Sequence, residues 1–348
     1  MQRREAGPET AEATPAWAEA VRRGRHPGGA DHQRFADWRT ASVARLRDLL
    51  GLHRDETGRP DATGTDGELI VAGDDAVRLV TLTTDEGDIP CWLLTPAADR
   101  RRDLAVVAVA GHGGGIDDLV APPGGDDFHG GLAHKLVAAG FTVLCPEMIS
   151  FGRRRTPGPD TAPAAASSCQ VDGMRGLLTG RPVLGRRVAD TLAAVRALRT
   201  LPGVDPTRVA VLGGSGGGAI ALMAAALDDQ IPAAVVATFL SSFADSFGTV
   251  PHCVCNAVPD LLTWFEMADV AALVAPRRLI IEAGRHDPIF PVAATRSTHD
   301  ELVDVWRGLG AAPPDLVITD AAHRFCADDA IALLRQHLRT PSDEGVTP

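Results

Sequence analysis

Tyrosine is absent from this 348-residue chain, and Lys135 is its single lysine. Arginine, alanine and glycine are used heavily instead, a coding bias that says little about chemistry. Positive charge is in deficit: 34 Lys and Arg against 45 Asp and Glu leave a net charge of −11. A nucleic-acid partner is therefore not expected, because phosphate binding needs a basic face. No apolar run reaches the roughly 18–20 residues that span a bilayer, so no membrane partner is expected either. Residues 1–25 are charged and lack the apolar stretch of a secretory signal. The six cysteines (Cys91, Cys145, Cys169, Cys253, Cys255 and Cys326) are too sparse in so long a chain to form a disulfide scaffold. These absences point to a cytoplasmic protein with reduced thiols. What is present, 45% hydrophobic and 23% charged residues, is the composition of an ordinary globular chain.

The pattern along the chain divides it into three. Residues 1–65 read as an N-terminal helical extension and linker. In it Phe35, Trp38, Val43, Leu46, Leu49 and Leu50 recur at helical spacing over 31–50, and the polar stretch 53–67 is rich in turn formers. Residues 66–340 read as one catalytic domain, and 341–348 as a tail. Within the domain, short strands near 69–71, 77–83 and 89–94 suggest an antiparallel start to a sheet. Apolar strands at 104–110, 141–145, 208–212, 233–238, 278–283 and 315–319 then alternate with helices at 130–139, 184–201, 216–228, 293–309 and 328–338. Continuous apolar strands separated by helices imply an α/β fold, a mostly parallel, doubly wound sheet covered on both faces. Two connections are too long for turns, 147–183 and 240–270. The second, carrying Phe243, Phe247, Trp264 and Phe265, is expected to form a lid.

Gly213-Gly214-Ser215-Gly216-Gly217 follows an apolar strand and opens an Ala-rich helix, the strand–turn–helix setting of a G-x-S-x-G nucleophile. The tight turn needs tiny neighbours and holds the serine oxygen out at the sheet edge. The helix that follows aims its positive end at the same spot. A phosphate-binding glycine turn fits less well, since no acidic residue closes a strand about 20 residues on. Upstream, Gly111-His112-Gly113-Gly114-Gly115 follows strand 104–110 and suits a loop that donates backbone N–H groups to an oxyanion. Gly114 is the expected loop donor, Gly113 the next choice, and Gly216 the second donor. Asp287 stands just beyond strand 278–283 and His323 just beyond 315–319. The order Ser215, Asp287, His323 is that of a catalytic triad assembled at strand ends. His286, Asp320 and Glu282 compete for these roles less well.

With these motifs on the page, the chain resembles the α/β-hydrolase superfamily, and within it the dienelactone hydrolase and acetyl-xylan-esterase-like branch. The resemblance rests on 111–115, 146–153 (PEMISFGR), 213–217, 282–291 (EAGRHDPIFP), His323, and the segments 252–256 and 266–270. It covers about 68–340. It implies an α/β-hydrolase fold and ester hydrolysis by a serine hydrolase, with no metal. Two departures bear on substrate. The R-G-Q motif of carbohydrate-deacetylating esterases is missing, since Leu177 follows Arg175-Gly176. The nucleophile is serine where dienelactone hydrolases use cysteine.

Four further residues are candidates for substrate binding: His112 (more a loop-shaping residue than a proton carrier), Arg153, His252 and Trp264. His252-Cys253-x-Cys255 carries soft ligands, but tetrahedral zinc needs about four, usually with a second paired cluster. Cys169 and Cys326 stand alone in the sequence, so no metal and no other cofactor is expected. The expected reaction is hydrolysis of a small-molecule carboxylic ester through an acyl-enzyme. Amide hydrolysis, acyl transfer or carbon–carbon cleavage on the same triad are the alternatives, and a non-catalytic ligand-binding member of the fold is a further one. The partner is the small-molecule ester itself, with room for a homodimer.

Overall fold

The computed structural model describes residues 23–52, 69–72, 75–123, 127–157 and 167–339. The linker over 53–67 and the tail at 341–348, both read from composition, lie outside the described residues. Nine strands form one sheet: β1 (Leu69–Ala72), β2 (Asp75–Thr84), β3 (Gly87–Thr95), β4 (Leu104–Val109), β5 (Phe141–Pro146), β6 (Val209–Gly214), β7 (Ala233–Ala237), β8 (Arg278–Gly284) and β9 (Asp315–Thr319). Their spatial order is β1-β2-β3-β5-β4-β6-β7-β8-β9. Pairings among β1, β2, β3 and β5 are antiparallel, and those from β5 through β4 to β9 are parallel. This is the antiparallel start and doubly wound parallel body that the sequence pattern implies. The strand order reverses at β4, which lies between β5 and β6. In open α/β sheets ligands bind at such a switch point, beyond the strands' C-terminal ends.

Successive side chains of a strand point to opposite faces, and the core divides accordingly. Ala105, Val107 and Val109 of β4 join one buried cluster, while Leu104, Val106 and Ala108 join the other. The first cluster is closed by α1 (His32–Leu49), α4 (Val183–Arg199), α5 (Gly216–Leu227), α7 (Met267–Ala272) and α8 (Val292–Gly308). The second is closed by α2 (Leu132–Ala138) and α9 (Asp328–His337). Because both faces are covered, the central strands carry no polar alternation.

Three features modify the sequence reading. The connection after β5 is not all loop: it contains α3 (Cys169–Thr179). The 240–270 segment, expected to form a lid, packs against the first core cluster. It contains α6 (Leu261–Trp264), and its Phe243, Cys255, Leu261 and Phe265 are buried in the first core cluster. The N-terminal helix is also docked. Phe35, Leu46 and Leu49 are buried, Arg39 Nε donates to Leu273 O at 2.9 Å, and Gly24 N–H donates to Trp264 O at 2.7 Å. Among the described residues no helix is long and apolar enough to cross a membrane.

Candidate active site

Strand β6 delivers Ser215 into a backbone conformation that L-residues rarely adopt, φ 54° and ψ −122°. Its N–H donates to Ala237 O at 2.9 Å, which fixes the turn to the end of β7. The flanking glycines are required by space. A Cβ on Gly213 would lie 2.3 Å from Gly217 O, and one on Gly217 would lie 2.3 Å from Val109 O. Both contacts are with backbone, which cannot yield. Helix α5 starts at Gly216, so the unpaired N–H groups of its first turn surround the serine.

Strands β8 and β9 are parallel neighbours, and the residues that follow them meet at this turn. The Ser215 hydroxyl lies 3.0 Å from His323 Nε2, and His323 Nδ1 lies 2.8 Å from Asp287 Oδ2. The second Asp287 oxygen accepts from Ile289 N–H at 2.8 Å and from Phe290 N–H at 3.1 Å. The carboxylate is buried and fully engaged, so it orients the imidazole. Phe128 and Phe290 flank the imidazole at ring-centroid distances of 5.2 and 5.9 Å. Below, buried Glu282 accepts from Cys326 N–H at 2.7 Å and from Ala327 N–H, anchoring the loop that carries His323. Burial pushes the Glu282 carboxyl up to about 7 despite these donors. The competing pair of His286 and Asp320 bond each other at 3.1 Å out at the exposed surface.

The oxyanion side differs from the sequence expectation. Gly114 N–H donates to Asp118 Oδ2 at 3.1 Å, so an acceptor already occupies the expected donor. A Cβ on Gly113 would lie 3.5 Å from the same Asp118 Oδ2. The backbone atom beside Gly216 is the nitrogen of His112, which a Cβ on Gly216 would meet at 3.5 Å. No described residue accepts a hydrogen bond from that nitrogen. Two buried groups set the loop. His129 Nε2 accepts from Gly111 N–H at 3.2 Å, and Glu147 Oε1 accepts from Ile116 N–H at 3.1 Å. Burial pushes His129 down to about 4, which keeps its ring neutral and able to accept. The Glu147 carboxyl is pushed up by burial.

The family model described as Acetyl xylan esterase (AXE1) matches residues 77–250, half of the chain. The chain belongs to the acetyl xylan esterase (AXE1) family. It is 28% identical over 253 residues to the Bacillus subtilis (strain 168) protein YtaP, named as a hydrolase, covering 68% of this chain and 78% of that one. Its fold is similar to that of acetyl xylan esterase 1 from Thermoanaerobacterium sp. JW/SL YS485, with a TM-score of 0.55 at 16% identity, covering 94% and 99% of the two chains. It is also similar to a glucuronoyl esterase from Solibacter usitatus, with a TM-score of 0.57 at 14% identity, covering 89% and 94%.

The remaining candidates of this AXE1 chain separate into two groups. His252 stays near the imidazole: it stacks on Phe247 at 3.9 Å, lies 5.7 Å from the Phe290 ring, and its Nε2 is 3.0 Å from Ser246 Oγ. Burial lowers its pKa, and His323 adds to the effect. Arg153 and Trp264 have partners within the chain. The Arg153 guanidinium is engaged by Asp117 at 2.8 Å and lies over the Trp92 ring. Trp264 lies under Arg45 at 4.4 Å and Arg23 at 5.8 Å, facing the N-terminal segment.

The expected absence of a metal rested on Cys169 standing alone, and that premise fails. Helix α3 starts at Cys169 and brings it to Cys253, Cys255 and His112, with all four ligand atoms within 4.8 Å of one another. Hydrogen bonds with Cys169 and then Cys253 push the His112 imidazole up to about 9. In the sequence, the one signal for this cluster is the C-x-C spacing. Phe128, Asp118 and Arg187 were likewise missed, since none sits in a recognisable motif.

Proposed function

We infer that this carboxylic ester hydrolase works through an acyl-enzyme on Ser215. The observation that carries the reading is the single imidazole of His323, bonded to the Ser215 hydroxyl on one side and to buried Asp287 on the other. His323 Nε2 takes the Ser215 proton as Oγ attacks the ester carbonyl. Asp287 holds the tautomer and stabilises the imidazolium that forms. The charge that develops on the carbonyl oxygen is met by the N–H groups of Gly216 and His112, at the positive end of α5. His323 then protonates the leaving alkoxide, which departs as the alcohol. The same ring activates water to attack the acyl-enzyme, releasing the acid and restoring the serine.

The substrate is proposed to be a small-molecule ester. The Phe290, Phe247 and His252 rings supply an aromatic wall beside the imidazole. Asn256 offers a buried side-chain oxygen without a hydrogen-bond partner, 3.8 Å from where a Cβ on Gly216 would lie. The acetyl esters named for the family are natural first probes, and the missing R-G-Q motif argues against transferring a sugar substrate directly. Turnover of p-nitrophenyl acetate, p-nitrophenyl butyrate and p-nitroacetanilide tests the reading. The esters should be cleaved with a kcat/KM at least about 100-fold above the anilide, a difference of roughly 2.7 kcal/mol in the barrier. Equal or faster cleavage of the anilide would overturn ester hydrolysis in favour of amide hydrolysis.

A further inference from the structure

We propose that His112, Cys169, Cys253 and Cys255 bind one zinc ion, a closed structural site that pins the His112 loop beside Ser215. The four ligand atoms come from three separated segments and lie within 4.8 Å of one another. His112 belongs to the glycine loop after β4, Cys169 opens α3, and Cys253 and Cys255 flank Val254 at a short 3-10 turn. A tetrahedron with Zn–S bonds of ~2.3 Å and a Zn–N bond of ~2.0 Å sets its ligands about 3.5–3.8 Å apart, so little movement is needed to close it. Three sulfurs and one imidazole are soft and borderline donors, the set that selects zinc over magnesium or calcium. Four protein ligands complete the coordination, which marks a structural ion and not a catalytic one.

A second observation points the same way. Arg187, from α4, is buried at 1% exposure directly against this cluster. Its Nη1 donates to Cys255 Sγ at 3.2 Å and its Nη2 to Cys169 Sγ at 3.3 Å. Its Nε and Nη2 also donate to Ile149 O at 3.2 and 3.0 Å, and its guanidinium lies 4.1 Å from the Phe151 ring centroid. No carboxylate among the described residues pairs with it. A buried cation needs a compensating negative charge. Three thiolates and one divalent zinc carry a net charge of −1, which cancels Arg187.

Binding takes Zn2+ from solution, releases whatever protons the four ligand atoms still carry, and changes no oxidation state. His112 is exposed while Cys169 and Cys255 are buried, so the ion has a way in from the His112 side. The consequence rests on the proposed oxyanion role. With its imidazole tied to the ion, His112 holds its backbone N–H beside Gly216, and the glycine-rich loop is no longer free to wander.

The test is the metal content of the full chain, purified with a reductant and no chelator. Elemental analysis should find about one zinc per chain. Exchange with Co2+ should give the intense visible bands of a tetrahedral cobalt–thiolate site. Cys253→Ser, which changes a half-buried ligand at the edge of the cluster, should bind zinc at least about 10-fold more weakly. Cys326→Ser, outside the cluster, should keep its zinc, and Ser215→Ala should keep it while losing activity. The zinc-free chain should show a lower kcat with a smaller change in KM. Fewer than about 0.1 zinc per chain with no cobalt bands, or a disulfide among Cys169, Cys253 and Cys255 under reducing purification, overturns the proposal. Because the cobalt spectrum is taken on the unaltered chain, it does not depend on any variant folding. A chain that is zinc-free as purified and yet cleaves p-nitrophenyl acetate at the full rate, unchanged on adding zinc, would sink the zinc site and leave the serine mechanism standing.

Discussion

Two constellations meet at Gly216 and are built in different ways. On one side, Ser215, Asp287 and His323 each stand just beyond the C-terminal end of a strand, joined by hydrogen bonds of 2.8 and 3.0 Å. On the other, His112, Cys169, Cys253 and Cys255 come from a loop, a helix start and a short turn, with Arg187 packed against them. The first group is positioned by the register of parallel strands. The second is positioned by chain segments that need something to hold them together. Rigid sheet edges can place reacting atoms without further help, whereas irregular segments need a cross-link or dense polar anchoring. The loop 111–115 is shared by both groups, through its backbone on the side of the serine and through the His112 side chain on the side of the thiols.

The contrast is sharpened first at the strand ends. Ser215→Ala should lower kcat/KM by at least about 10⁴-fold with an unchanged melting temperature, because the hydroxyl contributes chemistry and no packing. Hydrolysis of p-nitrophenyl acetate with and without the substitution checks this. Asp287→Asn should cost about 10³–10⁴-fold in kcat with little change in KM, since it removes the carboxylate that fixes the imidazole tautomer. Steady-state kinetics on the same ester read the split.

Next comes the scaffold. Gly217→Ala would force a Cβ to within 2.3 Å of Val109 O and 2.7 Å of Ala110 O. Its expected cost is about 2–3 kcal/mol of stability, read as a drop in the urea midpoint.

The smallest effect belongs to Glu282. Its carboxyl is raised from 4.5 to about 7 by burial, so the folded chain holds that proton more tightly than the unfolded chain does. The stability it contributes is therefore fully present below pH 4.5, declines as pH rises from 4.5 to about 7, and is level above that. Glu282→Gln should flatten the change by about 1–2 kcal/mol. Urea midpoints at pH 5 and pH 8 for both proteins give the difference.

The same contrast explains how much of the fold and the site is legible in the sequence. Apolar runs ending in glycine, aspartate or histidine made the strand ends legible, so Ser215, Asp287 and His323 could be named from spacing and order. Helix α5 was equally legible, because the residues after Ser215 are an unbroken small and apolar run. The loop donor is not legible in the sequence, because an N–H group's partner is a tertiary fact. Asp118, four residues beyond Gly114, bonds its N–H, and only the fold shows that His112 N lies beside Gly216. The surroundings of Trp264 and Arg153 are not legible for a related reason. A large aromatic and a guanidinium are as useful for packing as for binding, and here Arg45 and Asp117 claim them. The thiol cluster was illegible because Cys169 reaches its partners through α3, a helix hidden in a connection that reads as loop.

The most direct measurement of the central claim is covalent. The folded chain is treated with a fluorophosphonate, and the modified residue is located by peptide mass mapping. One phosphonyl group per chain is predicted, on Ser215, formed at a rate that falls sharply in His323→Ala and absent in Ser215→Ala. Labelling that is undiminished in Ser215→Ala, or a wild-type chain that stays unlabelled while cleaving p-nitrophenyl acetate, would contradict it.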